Sequence, residues 1–239
     1  MAVNTSSDAG DAGTDFSPGE VDVDTRFTPI YRVLRLGVRG LNRLLFRATV
    51  EGAALVPAEG PVIIAPIHRS FIDFFVVSEV TRRKLHYMAK DSLWKRPRFG
   101  RFLLSIGAFP VHRESADREA LRRAQNVLEA GEVLILFPEG SRRSGETVGE
   151  LHEGAAFLAA RTGATIVPVG IGGTVSVMPK GTRYPRPSKV HLIVGEPLVA
   201  PARSASGRVP RSQVHQLTED LRASIQDLYQ RAVATTGHP

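Results

Sequence analysis

Ala65-Pro66-Ile67-His68-Arg69-Ser70-Phe71-Ile72-Asp73-Phe74-Phe75 sets a histidine and an aspartate into a largely apolar run. The run 61–66 that leads into it is short and apolar, the pattern of a strand buried on both faces of a sheet. A stop after such a strand is where open α/β sheets place their sites, at the carboxyl end. On one continuous helix a five-residue step would leave His68 and Asp73 about 140° apart. Ser70 resolves this. Taken as an N-cap, it puts Asp73 at the third helical position, a Ser-x-x-Asp capping box. His68 then stands on the loop, where its ring can fold back over the first turn to meet the carboxylate. A plainer reading remains open, in which Asp73 only caps and His68 is a loop residue.

Outward from this stretch, short apolar runs alternate with helical ones. Strands are expected at 48–52, 61–66, 85–89, 108–111, 133–137, 165–171 and 190–194. Helices are expected at 71–80, 97–105, 117–130, 154–161 and 212–233, and residues 172–189 read as a long loop over one edge. This alternation predicts an α/β domain, a largely parallel sheet flanked by helices, over 48–239. Residues 1–25 hold Asp8, Asp11, Asp15, Glu20, Asp22 and Asp24 and no base, so the rest carries +13 where the whole chain carries +7. They read as a disordered acidic tail. Between them, residues 26–47 form an amphipathic helix started by Thr28-Pro29. Arg32, Arg35, Arg39, Arg43 and Arg47 recur along it as one basic stripe. Such a helix suits a membrane interface, apolar face down and arginines among anionic headgroups; an ordinary surface helix is the alternative.

Composition narrows the chemistry. There is no cysteine, which excludes disulfides, thiolate metal sites and cysteine nucleophiles. The seven histidines show no metal-ligand spacing, so no metal is expected. No run approaches the ~20 apolar residues of a spanning helix. The basic body favours anionic partners. Nucleic acid is not expected, because the aromatic 7% does not interleave with the bases.

An aspartate that accepts the Nδ1 proton of a histidine fixes the tautomer and frees Nε2 to take a proton from a hydroxyl. No Gly-x-Ser-x-Gly elbow supplies an enzyme serine. The simpler expectation is a hydroxyl on a bound substrate that attacks an activated acyl group. Cations follow three expected strands: Lys90, Arg113, and Arg142 with Arg143. They would converge on one rim if those strands are parallel neighbours, and would suit a phosphate. Phe137-Pro138-Glu139-Gly140-Ser141-Arg142 is the most unusual string, in which Glu139 can orient Arg142 or bind a substrate hydroxyl.

These residues resemble the lysophosphatidic acid acyltransferase family of glycerolipid acyltransferases, over roughly 48–200. Its His-x4-Asp block matches His68 and Asp73, and its Gly-x5-Arg block matches Gly107 and Arg113. Its Phe-Pro-Glu-Gly-Thr/Ser-Arg block matches Phe137 to Arg142, and its Val-Pro-Val block Val167-Pro168-Val169. Lys90, Pro97 and Gly100 match the segment between the first two blocks. Ile67 stands where many members have asparagine, and His112 where an acid is common. The resemblance implies a glycerol-3-phosphate acyltransferase-like fold and acyl transfer from coenzyme A or acyl carrier protein, as co-substrate rather than cofactor, to a glycerolipid hydroxyl. It implies His68 as general base and Asp73 as its orienter. Lys90, Arg113 and Arg142 would hold the acceptor's phosphate, Glu139, Gly140 and Ser141 would shape the acceptor pocket, and Val167, Pro168 and Val169 would form the acyl-donor side. It implies peripheral attachment at the cytoplasmic face of the inner membrane. Lysophosphatidic acid, glycerol 3-phosphate, another lysophospholipid and a glycolipid all stand as acceptors. A non-catalytic membrane-surface module is the remaining alternative.

Overall fold

A computed structural model describes residues 28–111, 118–179, 181–182, 184–200 and 209–239. The acidic tail 1–25, His112 and Arg113 lie outside the described residues. The strands are β1 Thr49–Glu51, β2 Val62–Pro66, β3 Leu85–Lys90, β4 Ala108–Val111, β5 Val133–Ile135, β6 Thr165–Gly172, β7 His191–Val194 and β8 Leu198–Val199. The helices are α1 Pro29–Leu44, α2 Asp73–Val76, α3 Pro97–Ser105, α4 Arg118–Glu129, α5 Gly154–Thr162, α6 Thr174–Val177 and α7 Arg211–Thr236. The sheet runs β1-β7-β6-β2-β5-β3-β4, with β8 beside β6. The strands β6, β2, β5, β3 and β4 are mutually parallel, whereas β7 and β8 run antiparallel to β6. The expectation of a largely parallel α/β sheet therefore holds, and the parallel neighbours needed for a common cationic rim are present.

Burial explains the strand reading. Every residue of β2, β5 and β7 is buried, so these strands read as unbroken apolar runs rather than alternations. Crossover handedness then distributes the helices. The links β2→β3 and β3→β4 step the same way across the sheet, which puts α2 and α3 on one face with α1 packed against α2. The links β4→β5 and β5→β6 step back, and α4, α5 and α7 pack together on the other face.

The sheet meets α7 at unusually short range. Gly170 and Gly172 lie two apart on β6, on one face of the strand. A Cβ at Gly170 would lie 2.3 Å from the Leu228 carbonyl carbon, and one at Gly172 would lie 2.5 Å from that of Ala232. Leu228 and Ala232 are four apart and so share one side of the helix. Gly170→Ala is therefore expected to cost about 1–3 kcal/mol as overpacking, seen as a lowered urea midpoint. An unchanged midpoint would mean that α7 moves away without cost.

Two expectations need correction. Residues 71–80 do not form one helix: α2 has only four residues and tightens into a 3-10 turn, Val77–Glu79. The β-branched Val76, Val77 and Val80 are all buried here, and their stiffness disfavours a long helix. The segment 172–189 is not all loop, because it carries α6.

The helix α1 is inverted relative to expectation. Thr28 caps it, and Tyr31 and Asn42 are its buried residues. The arginine stripe turns onto the protein. Arg35 donates to the carbonyl oxygens of Ser78, Thr81 and Arg83, and Arg39 and Arg43 face the buried Glu79. Asn42 donates to Phe75 O and Glu79. Arginines 35, 39 and 43 thus dock the helix rather than reach for headgroups. The opposite side, with Ile30, Val33, Leu36, Leu41 and Leu44, is exposed. No helix among the described residues is long and apolar enough to cross a membrane.

Candidate active site

The loop between β2 and α2 brings His68 against Asp73. His68 Nδ1 lies 2.9 Å from Asp73 Oδ2, and both side chains are buried. The same Oδ2 accepts the backbone N–H groups of Arg69 and Ser70, each at 2.7 Å, while Oδ1 accepts the Thr174 hydroxyl at 2.7 Å. Half of the expected capping box is therefore real: the acid reaches back to Ser70, although the assigned cap is Ile72 and Ser70 Oγ receives only Ile72 N–H at 3.4 Å. With four donors around it the carboxylate has no freedom to turn. The imidazole stacks on Phe137 at 4.1 Å between centroids and takes the edge of Phe74 at 5.4 Å. Nδ1 is committed to Asp73, which leaves Nε2 to act as a base.

A second buried acid holds the histidine from behind. Glu139 is 1% exposed, and its Oε2 accepts the His68 backbone N–H at 3.1 Å. Arg69 Nη1 donates to both its oxygens, at 2.9 and 2.8 Å. Nη1 also reaches the His68 carbonyl, Nε and Nη2 donate to the carbonyls of Gly145 and Thr147, and the guanidinium lies 5.2 Å over the Tyr229 ring. Burial pushes the Tyr229 hydroxyl's pKa up. Glu139 was expected to orient Arg142 or bind a substrate hydroxyl. Instead its charge is met by Arg69, seventy positions away in the chain and adjacent only after it folds.

The rim above is cationic. Lys90 ends β3, and the loop after β5 carries exposed Ser141, Arg142 and Arg143. Arg143 N–H donates to His68 O at 3.0 Å, tying this loop to the histidine. A cleft of about 680 Å³ opens at Arg69 and Ser70, lined also by Ser141, Arg142, Arg143 and Thr182; His68 and Asp73 do not themselves line it. Gly140 has φ +69°, and a Cβ there would meet the His152 ring at 2.8 Å, so this turn requires glycine. Val167, Pro168 and Val169 are buried in β6, in register with Ile64, Ala65 and Pro66. They lie inside the sheet rather than on its exposed edge.

The acyltransferase family model matches residues 47–172, more than half the chain. The chain belongs to this family. It is 30% identical over 175 residues to the 1-acyl-sn-glycerol-3-phosphate acyltransferase of Bacillus subtilis, covering 72% of this chain and 83% of that one. It is 26% identical to the chloroplastic Arabidopsis thaliana enzyme of the same description, over 64% of this chain but only 44% of the plant protein. Among solved structures, the 1-acyl-sn-glycerophosphate acyltransferase of Thermotoga maritima has the same fold. Its TM-score is 0.66 at 23% identity, over 84% of this chain and 80% of that one.

Two residues of this acyltransferase's site were not singled out from its sequence. Arg69 had a signal, as a charge inside a buried stretch beside the histidine. Thr174 had only Gly172-Gly173 before it, where Gly173 takes φ +88° to swing the hydroxyl toward Asp73. Ile67, which replaces a common asparagine, is buried and donates its N–H to Val169 O at 3.0 Å, continuing the β2–β6 ladder.

Proposed function

We propose that this acyltransferase moves a fatty acyl chain from an acyl thioester to the free hydroxyl of lysophosphatidic acid, giving phosphatidic acid. The observation that carries the reading is the His68–Asp73 pair set at the carboxyl edge of five adjacent parallel strands, with cationic loops on the same edge. His68 Nε2 takes the acceptor's hydroxyl proton as the oxygen attacks the thioester carbonyl. The tetrahedral intermediate collapses with loss of the thiolate, which receives that proton from the imidazolium. Asp73 keeps Nδ1 protonated throughout and stabilises the cation. Lys90 and Arg142 bind the phosphate, as does Arg113. The donor is acyl-coenzyme A or acyl carrier protein. The relatives' descriptions support lysophosphatidic acid over glycerol 3-phosphate or a glycolipid.

The exposed apolar side of α1 supports peripheral membrane attachment by that side. The arginine stripe that docks it would hold the helix flat against the domain at the bilayer surface.

Acyl transfer to lysophosphatidic acid, and to the same lipid without its phosphate, tests the acceptor. Wild type is expected to prefer the phosphate, and Arg142→Ala to raise KM for the phosphorylated acceptor by about 10- to 100-fold, the worth of a charge-assisted hydrogen bond. KM for the dephosphorylated lipid should barely move. Equal use of both lipids by wild type would refute the phosphate assignment.

A further inference from the structure

The surface of α3 is unlike any other on the described chain. Phe99 is 43% and Phe102 39% exposed, and their rings stack at 6.1 Å. Around them stand Lys95, Arg96, Arg98 and Arg101, all exposed. None of the four makes an ion pair with a described residue, and the only acid between Lys90 and Val111 is Asp91. The helix is anchored from below: Gly100 and Leu103 are buried, and Gly100 sits so close to the Trp94 ring that a Cβ would fall 2.7 Å from it. The outward side is therefore held in place, with aromatic rings in the middle and bases beside them.

We infer that this face of α3 is a second seat on an anionic lipid surface, separate from α1. Bare aromatic side chains cost free energy in water and gain it at a headgroup–acyl boundary, while each nearby base is attracted to anionic lipid. Placement favours a bilayer over an acidic protein. The crossovers set α3 on the same sheet face as α1, and of the thirteen large apolar side chains exposed among the described residues, ten lie on that side, from α1 through Phe71 and Phe75 to α3. Two contacts flanking the loop that holds His68 would fix the site's tilt over the surface. The inference rests on the membrane attachment proposed above.

Trp94 is the chain's single tryptophan and lies directly beneath α3, so its fluorescence reports on this contact alone. The full chain is mixed with vesicles of phosphatidylcholine, or of phosphatidylcholine with phosphatidylglycerol, with brominated acyl chains as quenchers. Trp94 emission should be quenched on the anionic vesicles and much less on neutral ones, with the difference lost at high salt. Replacing Arg96, Arg98 and Arg101 together by Gln should lower anionic-vesicle partition about 100-fold. Phe99→Ser with Phe102→Ser should abolish quenching while leaving flotation through α1. Flotation of wild type without Trp94 quenching would overturn the α3 seat and leave the α1 contact standing. Unchanged flotation of the triple variant, with KM raised for acyl carrier protein but not for acyl-coenzyme A, would make α3 a carrier-protein dock instead. Wild type that floats on neither vesicle would remove membrane attachment as a whole, and the α3 seat with it, while acyl transfer to dispersed acceptor would still stand or fall by its own assay.

Discussion

His68→Ala is expected to lower kcat/KM for acyl transfer to lysophosphatidic acid by at least about 100-fold, the lower end of what a positioned general base contributes. The expectation follows from how little else could take the proton. Nε2 belongs to the ring whose orientation is fixed on three sides, by Asp73 at 2.9 Å, by Phe137 and by Phe74. Asp73 is fully buried and fully occupied by four donors. Alanine leaves the backbone bond from residue 68 to Glu139 in place, so folding should change little and the loss should fall on kcat. Steady-state rates with wild type measured in parallel decide it. A variant with near-normal turnover would mean that the proton leaves by another route, and the mechanism would be wrong.

The second large effect concerns stability. Glu139→Ala is expected to cost about 3–5 kcal/mol, because it strands the Arg69 guanidinium as an uncompensated buried charge. Replacing both partners, Arg69→Met with Glu139→Leu, should restore much of that stability, since a buried pair is often exchangeable for apolar side chains. Activity should stay low in the double variant, because the His68 N–H would have lost its acceptor and the loop its fixed position. Urea unfolding and turnover of the four proteins in the cycle separate the two effects. If Glu139 instead served the acceptor directly, the single variant would keep its stability and raise KM, and the double variant would offer no recovery.

The sheet was legible because its buried strands are short, apolar and punctuated, and such a pattern has few competing readings. The edges of elements were less so: α2 shrank to one turn because side-chain stiffness at Val76, Val77 and Val80 outweighed a good helix-start signal. His68 and Asp73 could be found because two groups the chemistry needs in contact happen here to lie within a few residues of each other. Glu139 was visible, but its partner was misjudged, since a neighbour in sequence, Arg142, competed with one seventy positions away. Thr174 and the placement of α1's arginines depend on which way a segment turns in three dimensions, and periodicity is silent on that. An amphipathic helix has two faces, and sequence alone does not say which one the rest of the protein takes.

The loop gripped by Arg69 is fastened a second time from the far end of the chain. Gln226 accepts the Val148 N–H at 2.7 Å and donates to Glu146 O at 3.1 Å, and Tyr229 lies against Arg69 from the same helix. A growing polypeptide carries His68, Asp73 and Glu139 long before it carries α7. The histidine's surroundings are completed only once α7 has been made and has docked, so until then the chain holds the parts of the site without their final clasp.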